Sequence, residues 1–292
     1  MKQILITGAT GNTGYEVIRS LFNNSPSNRI FAGVRNIDEA KSKFTGFPEI
    51  KFTHFDFENP ATFKNALTNI DTVFLLRPPH ISAVKKNFAP LINKMEEKKV
   101  REVLFLSVQG AERSKIIPHN KIERLILDSN LDYIFLRPSY FMQNLTTTLI
   151  DDIKGKKQIL LPAGKAKFNW IDIANIGEAS AILLERFKEF RNSAFDITGY
   201  ENKNFYEVTE ELNRQLPANK KIIYHNVDPM TFFRIKKKEE VPAGKILVLI
   251  MLHFLPRFQK EPVISDFYEK LTGKEPFTLA GFLEREKNIF LE

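Results

Sequence analysis

Three glycines at a spacing of three, Gly8, Gly11 and Gly14, follow the apolar run Ile4-Leu5-Ile6 and lead into the helical pattern Tyr15-Glu16-Val17-Ile18. A strand that turns through glycines straight into a helix is suited to holding a pyrophosphate. Gly8 permits a sharp turn off the strand, Gly11 has no β-carbon to obstruct a diphosphate, and Gly14 lets the helix pack closely on the sheet. The helix N-terminus adds free N–H groups and the positive end of its dipole. Glycine triplets also occur in plain strand-to-helix turns, so the flanking strand and helix carry the reading.

The second apolar run, Arg29-Ile30-Phe31-Ala32-Gly33-Val34-Arg35, bears on which dinucleotide is held. NAD sites keep an acid at this strand end for the ribose hydroxyls. Arg35 stands there instead, and a guanidinium can pair with a 2′-phosphate through charge-assisted hydrogen bonds. NADP(H) is therefore expected over NAD(H). The alternative is that Arg35 is a solvated charge paired with nearby Asp38.

With 292 residues and 43% hydrophobic content, the chain can bury a full core as one large α/β domain or one domain with a smaller attachment. The net charge of +8 suits an anionic ligand, and no pattern favours nucleic acid. The short basic runs Lys98-Lys99-Val100-Arg101 and Lys236-Lys237-Lys238 read as solvated helix faces. The absence of cysteine excludes disulfides, thiolate metal sites and cysteine catalysis. Five histidines are scattered without an HxxxH or HxH pair, so no metal is expected. The first strand begins without a charged-then-apolar leader, which implies a cytoplasmic protein. The apolar stretch Ile246 to Leu255 is about half the ~20 residues a membrane span needs. It reads as a helix buried under the substrate region or in a subunit contact.

Strands and helices alternate through the first half: strand 4–7, helix to about 22, strand 29–35, a short helix from Asp38, strand 50–55, helix 60–67, strand 72–76, a long helix 81–98, strand 102–108, helix 120–127 and strand 133–137. This pattern predicts a doubly wound parallel sheet, the Rossmann fold, over residues 1–150. Right-handed crossovers put every strand's carboxyl end on the side of the glycine loop, so residues just after each strand are the candidates for chemistry. In the second half, strand 158–161, a helix from the 170–177 segment to about Phe187, strand 194–198, helix 205–216 and strand 221–225 are expected. Asp228-Pro229 is a helix N-cap with proline in the first turn, and three further helices follow, the last over 279–289. Residues 168–200 are expected to return to the first domain. The rest of 151–292 forms a smaller α/β substrate-binding region folded onto it.

Several segments together resemble the NmrA-like group of atypical short-chain dehydrogenases/reductases. They are Thr7-Gly8-Ala9-Thr10-Gly11-Asn12-Thr13-Gly14, Ala32-Gly33-Val34-Arg35-Asn36, Arg137-Pro138-Ser139-Tyr140-Phe141-Met142-Gln143-Asn144, Asp172-Ile173-Ala174-Asn175-Ile176-Gly177, and Phe267-Tyr268-Glu269-Lys270-Leu271-Thr272-Gly273 with Phe277. That group includes NADPH-dependent quinone and azo-compound reductases and also NADP-sensing regulators. The resemblance implies that Gly8, Thr10, Gly11, Asn12, Thr13 and Gly14 cradle the pyrophosphate and that Arg35 meets the adenosine phosphate. It implies that Asp56 bonds the adenine amine with Phe57 beside the ring, and that Leu76 and Arg77 line the riboses. Ser107 ends the fifth strand near the usual catalytic serine, and Lys121 would bond the nicotinamide ribose. Asp56 could instead cap the following turn, and Ser107 could be a satisfied strand-end hydroxyl.

Ordinary short-chain dehydrogenases place a tyrosine four residues before the lysine; here that position is Ile117. The Tyr-Lys acid–base pair is absent, leaving His119 and Tyr140 as candidate proton donors beside Lys121. Reduction of a simple ketone gives a strongly basic alkoxide that needs such a donor, whereas a quinone yields a stabilised phenolate that water can protonate. The expected activity is therefore NADPH-dependent reduction of a quinone-like or other conjugated small molecule by a monomer or homodimer. Phe141, Phe168 and Trp170 lie in segments that the resemblance places around the acceptor pocket. The alternative is an NADP(H)-sensing regulator that acts through a protein partner.

Overall fold

The structure is a computed structural model that describes residues 2–24 and 28–291. Its strands are β1 (Gln3–Ile6), β2 (Arg29–Val34), β3 (Lys51–His54), β4 (Thr72–Leu76), β5 (Glu102–Leu106), β6 (Asp132–Pro138), β7 (Tyr140–Phe141), β8 (Gln158–Leu161), β9 (Phe168–Ile171), β10 (Ser193–Ile197), β11 (Asn202–Lys203) and β12 (Ile223–Asn226). Its helices are α1 (Asn12–Asn24), α2 (Ile37–Lys43), α3 (Phe63–Ala66), α4 (Val84–Asn87), α5 (Ala89–Glu97), α6 (Pro118–Leu127), α7 (Ile150–Lys156), α8 (Ile173–Glu185), α9 (Phe187–Phe190), α10 (Phe205–Gln215), α11 (Pro229–Lys238), α12 (Ala243–Phe254), α13 (Phe267–Thr272), α14 (Leu279–Arg285) and α15 (Lys287–Leu291). Two compact units divide them. The first comprises Met1–Pro138, Ile173–Ile197 and Phe267–Lys274, and the second comprises Ser139–Asp172, Thr198–Asp266 and Glu275–Glu292.

In the first unit, seven strands run parallel in the order β3-β2-β1-β4-β5-β6-β10, a Rossmann-type α/β fold. The order reverses direction between β1 and β4, so the loop after β1 opens at the topological switch point. The central strands are apolar on both faces because helices cover both. Leu5, Val73, Leu75, Val103 and Phe105 pack with Phe88, Leu91, Ile92, Met95, Ile122 and Ile126, while the alternate residues Ile4, Ile6, Phe74 and Leu104 are equally buried. Helix α8 packs on α1 at very close range. A Cβ built on Gly177 would lie 2.7 Å from Glu16 Cβ and 2.8 Å from the Glu16 carbonyl carbon. The third segment is attached by Phe267 stacked on Phe195 (4.2 Å between centroids) and by the Tyr268 hydroxyl donating to Glu178 (2.5 Å).

The second unit holds a three-stranded sheet, β11-β9-β7, and the parallel pair β12-β8. Its core gathers Trp170, Phe205, Phe168, Phe232, Ile159 and Phe282, with Tyr140 packed against it. Asn204 and Glu207 form a reciprocal cap on α10, and Asp228 caps α11 by accepting from the Met230 and Thr231 amides.

Several expected boundaries differ. The first segment of the first unit ends at Pro138 and not near 150, and the unit includes residues 267–274, which the chain pattern did not associate with it. The expected helix 81–98 is broken into α4 and α5 because Pro90 lies in the first turn of α5, where its ring cannot continue a preceding helix. The expected helix 279–289 breaks at Glu286 into α14 and α15. Lys236 is not a solvated charge: its ammonium meets Asp152 at 2.5 Å and Glu239 at 2.9 Å. The 246–255 stretch is helical in α12, but only Ile246 and His253 are fully buried in it. Among the described residues no helix is long and apolar enough to cross a membrane.

The α1–α8 contact yields a stability prediction. Gly177→Ala should cost about 1–3 kcal/mol, because the new methyl meets backbone that cannot retreat. Thermal unfolding would show a midpoint lower by several degrees, and an unchanged midpoint would mean that α8 can slide to make room.

Candidate functional site

The loop after β1 closes on itself. Gly8 has φ +62°, a left-handed conformation, and its carbonyl accepts from the Gly11 amide at 3.0 Å. A Cβ on Gly14 would sit 2.3 Å from that same carbonyl oxygen, so the absence of a side chain at Gly14 serves the loop's own closure more than the packing of helix on sheet. Thr7 stitches the ends of β1 and β4 beyond the ladder: its hydroxyl donates to the Phe74 carbonyl (3.0 Å) and accepts from the Leu76 amide (2.9 Å). Leu76 in turn lies over Gly8, with its Cδ2 2.8 Å from where a Cβ would be. Thr10, Gly11 and Asn12 are exposed at the mouth of α1, while Thr13 is buried. The first-turn amides of α1 have no intrahelical acceptors, the property that lets a helix N-terminus receive an anion.

Two cations accompany the loop. Arg35, just beyond β2, is exposed and makes no ion pair or hydrogen bond among the described residues; Asp38 pairs instead with Lys41 at 3.3 Å. The second cation, Lys43 at the end of α2, was missed in the sequence. Its ammonium donates to the Thr10 carbonyl at 2.7 Å and lies 5.4 Å from the centre of the Tyr15 ring. No motif marks it, because its approach depends on how α2 folds back beside the loop.

The other expected cofactor residues separate into those free to bind and those already engaged. Ser107 is buried, and its Oγ has no hydrogen-bond partner among the described residues, so it is not a satisfied strand-end hydroxyl. Such an orphaned hydroxyl at a strand's carboxyl end is what a ligand group would complete. Asp56 does cap the following turn, with Oδ1 accepting from the Glu58 amide at 3.0 Å. Phe57 does not stand ready beside an adenine: its ring is buried in the core against Phe55 and Phe88. Arg77 is spent on its own loop, donating to the carbonyls of Pro78, Pro79 and Ile81. The glycine turn, the unpaired Arg35, Lys43 and the Ser107 hydroxyl together fit a phosphorylated dinucleotide.

The candidate proton donors fare differently. Lys121 is exposed in the first turn of α6 and carries no side-chain partner among the described residues. His119 stacks on Phe105 and accepts from Arg77 Nε at 3.4 Å, which leaves the ring proton on Nδ1. Burial, reinforced by the Arg77 charge, pushes its imidazole down to about 3. At neutral pH it holds no imidazolium proton to give, which removes it as a general acid.

Tyr140 belongs to the second unit, in β7. Its hydroxyl lies 2.9 Å from His253 Nε2, and His253 Nδ1 lies 2.7 Å from the Leu249 carbonyl. The carbonyl can only accept, so Nδ1 carries the proton and Tyr140 donates to Nε2. Phe168, Trp170 and Phe205 enclose the pair. Burial raises the Tyr140 phenol well above its ordinary range and lowers His253 to about 4. Sequence reading missed His253, since a histidine inside an apolar helix gives no local sign of a partner over a hundred residues away.

The sheet order and glycine loop define a Rossmann-type protein. The NmrA-like family model matches residues 1–277, and the chain belongs to the NmrA-like family. It is 30% identical over 280 residues to the prestalk A differentiation protein A of Dictyostelium discoideum, covering 96% of this chain and 90% of that protein. It is 27% identical to an NAD(P)H azoreductase of Xenophilus azovorans over 72% of each chain. The crystal structure of an NADPH-dependent quinone oxidoreductase from Escherichia coli, complexed with NADPH, superposes with a TM-score of 0.85 at 23% identity, covering 98% of this chain and 100% of that one.

Two histidines, the half-buried His119 and the fully buried His253, make stability depend on pH. Their folded-state values lie below the ~6.5 of an unfolded histidine, so the unfolded chain takes up protons first as the solution is acidified. Their contribution is fully present above pH ~6.5 and is lost as the pH falls toward 4 and then 3. Calorimetry across this window should show a falling unfolding midpoint, with a shallower fall for His253→Phe. An identical slope in that variant would mean that His253 titrates normally.

Proposed function

We propose that the chain is an NADPH-dependent oxidoreductase that reduces a quinone-like or other conjugated acceptor. The observation that carries this reading is the glycine loop accompanied by an unpaired Arg35 and by Lys43, an arrangement suited to a pyrophosphate and a further phosphate. The azoreductase and quinone oxidoreductase among its relatives support the same class. A bound nicotinamide would supply the hydride. The chain's residues would hold the phosphates at the loop, engage Arg35 with the 2′-phosphate, and offer the Ser107 hydroxyl as a hydrogen-bond partner.

The acceptor class follows from what the first unit lacks around Lys121. Ile117 has no proton to donate, and His119 is neutral. For a ketone a positioned acid is worth about 10²–10⁴ in rate, whereas the stabilised anion from a conjugated acceptor can take its proton from water. Positioning of the acceptor then supplies most of the acceleration.

A second reading, an NADP(H)-sensing regulator acting through a protein partner, is favoured by one observation: the relative at 30% identity bears the name of a differentiation protein. It requires unequal affinity for the oxidised and reduced cofactor, because a ligand shifts only an equilibrium whose states it binds differently.

Purified protein should bind NADPH and oxidise it with at least one of a panel of benzoquinones, naphthoquinones and azo dyes, followed by nicotinamide absorbance. Binding without turnover across the panel would favour the sensor; no binding would sink both readings. Arg35→Ala should weaken NADPH by about tenfold or more while leaving NADH nearly unchanged, from the loss of charge-assisted bonds to one phosphate. Equal losses for both cofactors would show that Arg35 does not read the phosphate.

A further inference from the structure

Helix α12 is apolar on both faces, yet only one is used. Ile246, Leu249, Ile250 and His253 face the core of the second unit, while Leu247, Val248, Met251, Leu252 and Leu255 are between 45 and 62% exposed. At 100° per residue those five fall within an arc of about 140°, a continuous stripe along one side of the helix. Phe258, 75% exposed, extends it past the helix end. A stripe of this size is unusual on a surface without a function for it.

Within the stripe's own segment the charges are of one sign. Residues 243–260 contain Lys245, Arg257 and Lys260 and no acid. Beside the helix end opens a groove of about 530 Å³ lined in part by Lys165, Lys167, Arg257 and Lys260. Its one acid, Glu261, is taken by Lys167 at 3.1 Å, and Lys165, Arg257 and Lys260 form no ion pair among the described residues.

We propose that the outer face of α12 and the adjoining basic groove form a docking surface for an anionic lipid bilayer, with the helix lying in the interface and lipid headgroups meeting Lys165, Arg257 and Lys260. An exposed apolar stripe edged by cations is the arrangement that inserts shallowly into headgroups and adds electrostatic attraction to anionic lipid. The helix has 12 residues, too few to span a bilayer and enough to lie on one. The same charges argue against a second copy of the chain as occupant. Around a twofold axis the face would meet itself, and Lys245, Arg257 and Lys260 would approach the same set of cations on the other copy with no acid in residues 243–260 to separate them. The surface stands independently of the reductase reading.

Co-sedimentation of the full chain with phosphatidylcholine vesicles, with and without phosphatidylserine, tests this. Partition should be about tenfold or more stronger on the phosphatidylserine vesicles and should fall as salt is raised. Leu252→Glu places a charge in the stripe at an exposed position and should lower that partition by about tenfold or more, with thermal unfolding and NADPH affinity unchanged. No partition onto either vesicle, or partition that Leu252→Glu leaves intact, would overturn the proposal. So would a dimer in light scattering that the same variant converts to monomer, since the face would then be a contact between copies.

Discussion

Gly14 lies so near the Gly8 carbonyl that a Cβ would stand 2.3 Å from its oxygen, and much else follows from this contact. With no side chain at Gly14, helix α1 starts directly against the turn that ends β1, so the direction of the helix is set by the loop that precedes it. That direction brings Glu16 under Gly177, which determines how near α8 can come. The Thr7 hydroxyl holds the other side of the turn by bridging β1 to β4 at the point where the strand order reverses. The anion-binding character of the loop is therefore tied to the packing of the sheet, and a change that loosens one loosens the other.

Around this rigid turn, polar groups have divided between structural and available roles. Arg77 and Asp56 satisfy their own loops, Phe57 fills the core, and His119 is held neutral by burial beside a guanidinium. Among the described residues, Arg35, Lys121 and the Ser107 hydroxyl have no side-chain partner. Free cations and an orphaned hydroxyl without an acid match the proposed reading, in which the chain binds and orients and leaves proton transfer to water; on that proposal acceptors would be separated by the basicity of their reduced form.

The parallel sheet, its strand order and the glycine loop were legible because buried parallel strands read as short apolar runs and the loop has a local mechanism. The late strand at residues 193–197 was also readable as a member of the main sheet, and it pairs with β6. Features set by distant contacts were not legible. Lys43 reaches the loop only through tertiary folding, and the Tyr140–His253 pair joins residues 113 positions apart. The apolar run at 246–255 was expected to be covered by the substrate region or by a subunit contact, and hydrophobicity alone does not say which side of a helix is covered. Pro90 was visible, yet the apolar pattern on either side of it suggested one helix where the chain makes two.

Neither unit is a continuous stretch of chain, and this bears on how the protein is made. A ribosome that has released residues 1–150 has produced six strands of the main sheet but not β10, which pairs with β6, or α8, which packs on α1. Until residues 173–197 emerge, β6 presents an open row of backbone donors and acceptors, and β5 and β6 lack the cover of α8. Synthesis of this chain therefore passes through a stage in which an open sheet edge invites aggregation. For the same reason a fragment cut at the apparent end of the nucleotide-binding half would carry the glycine loop on an unfinished sheet.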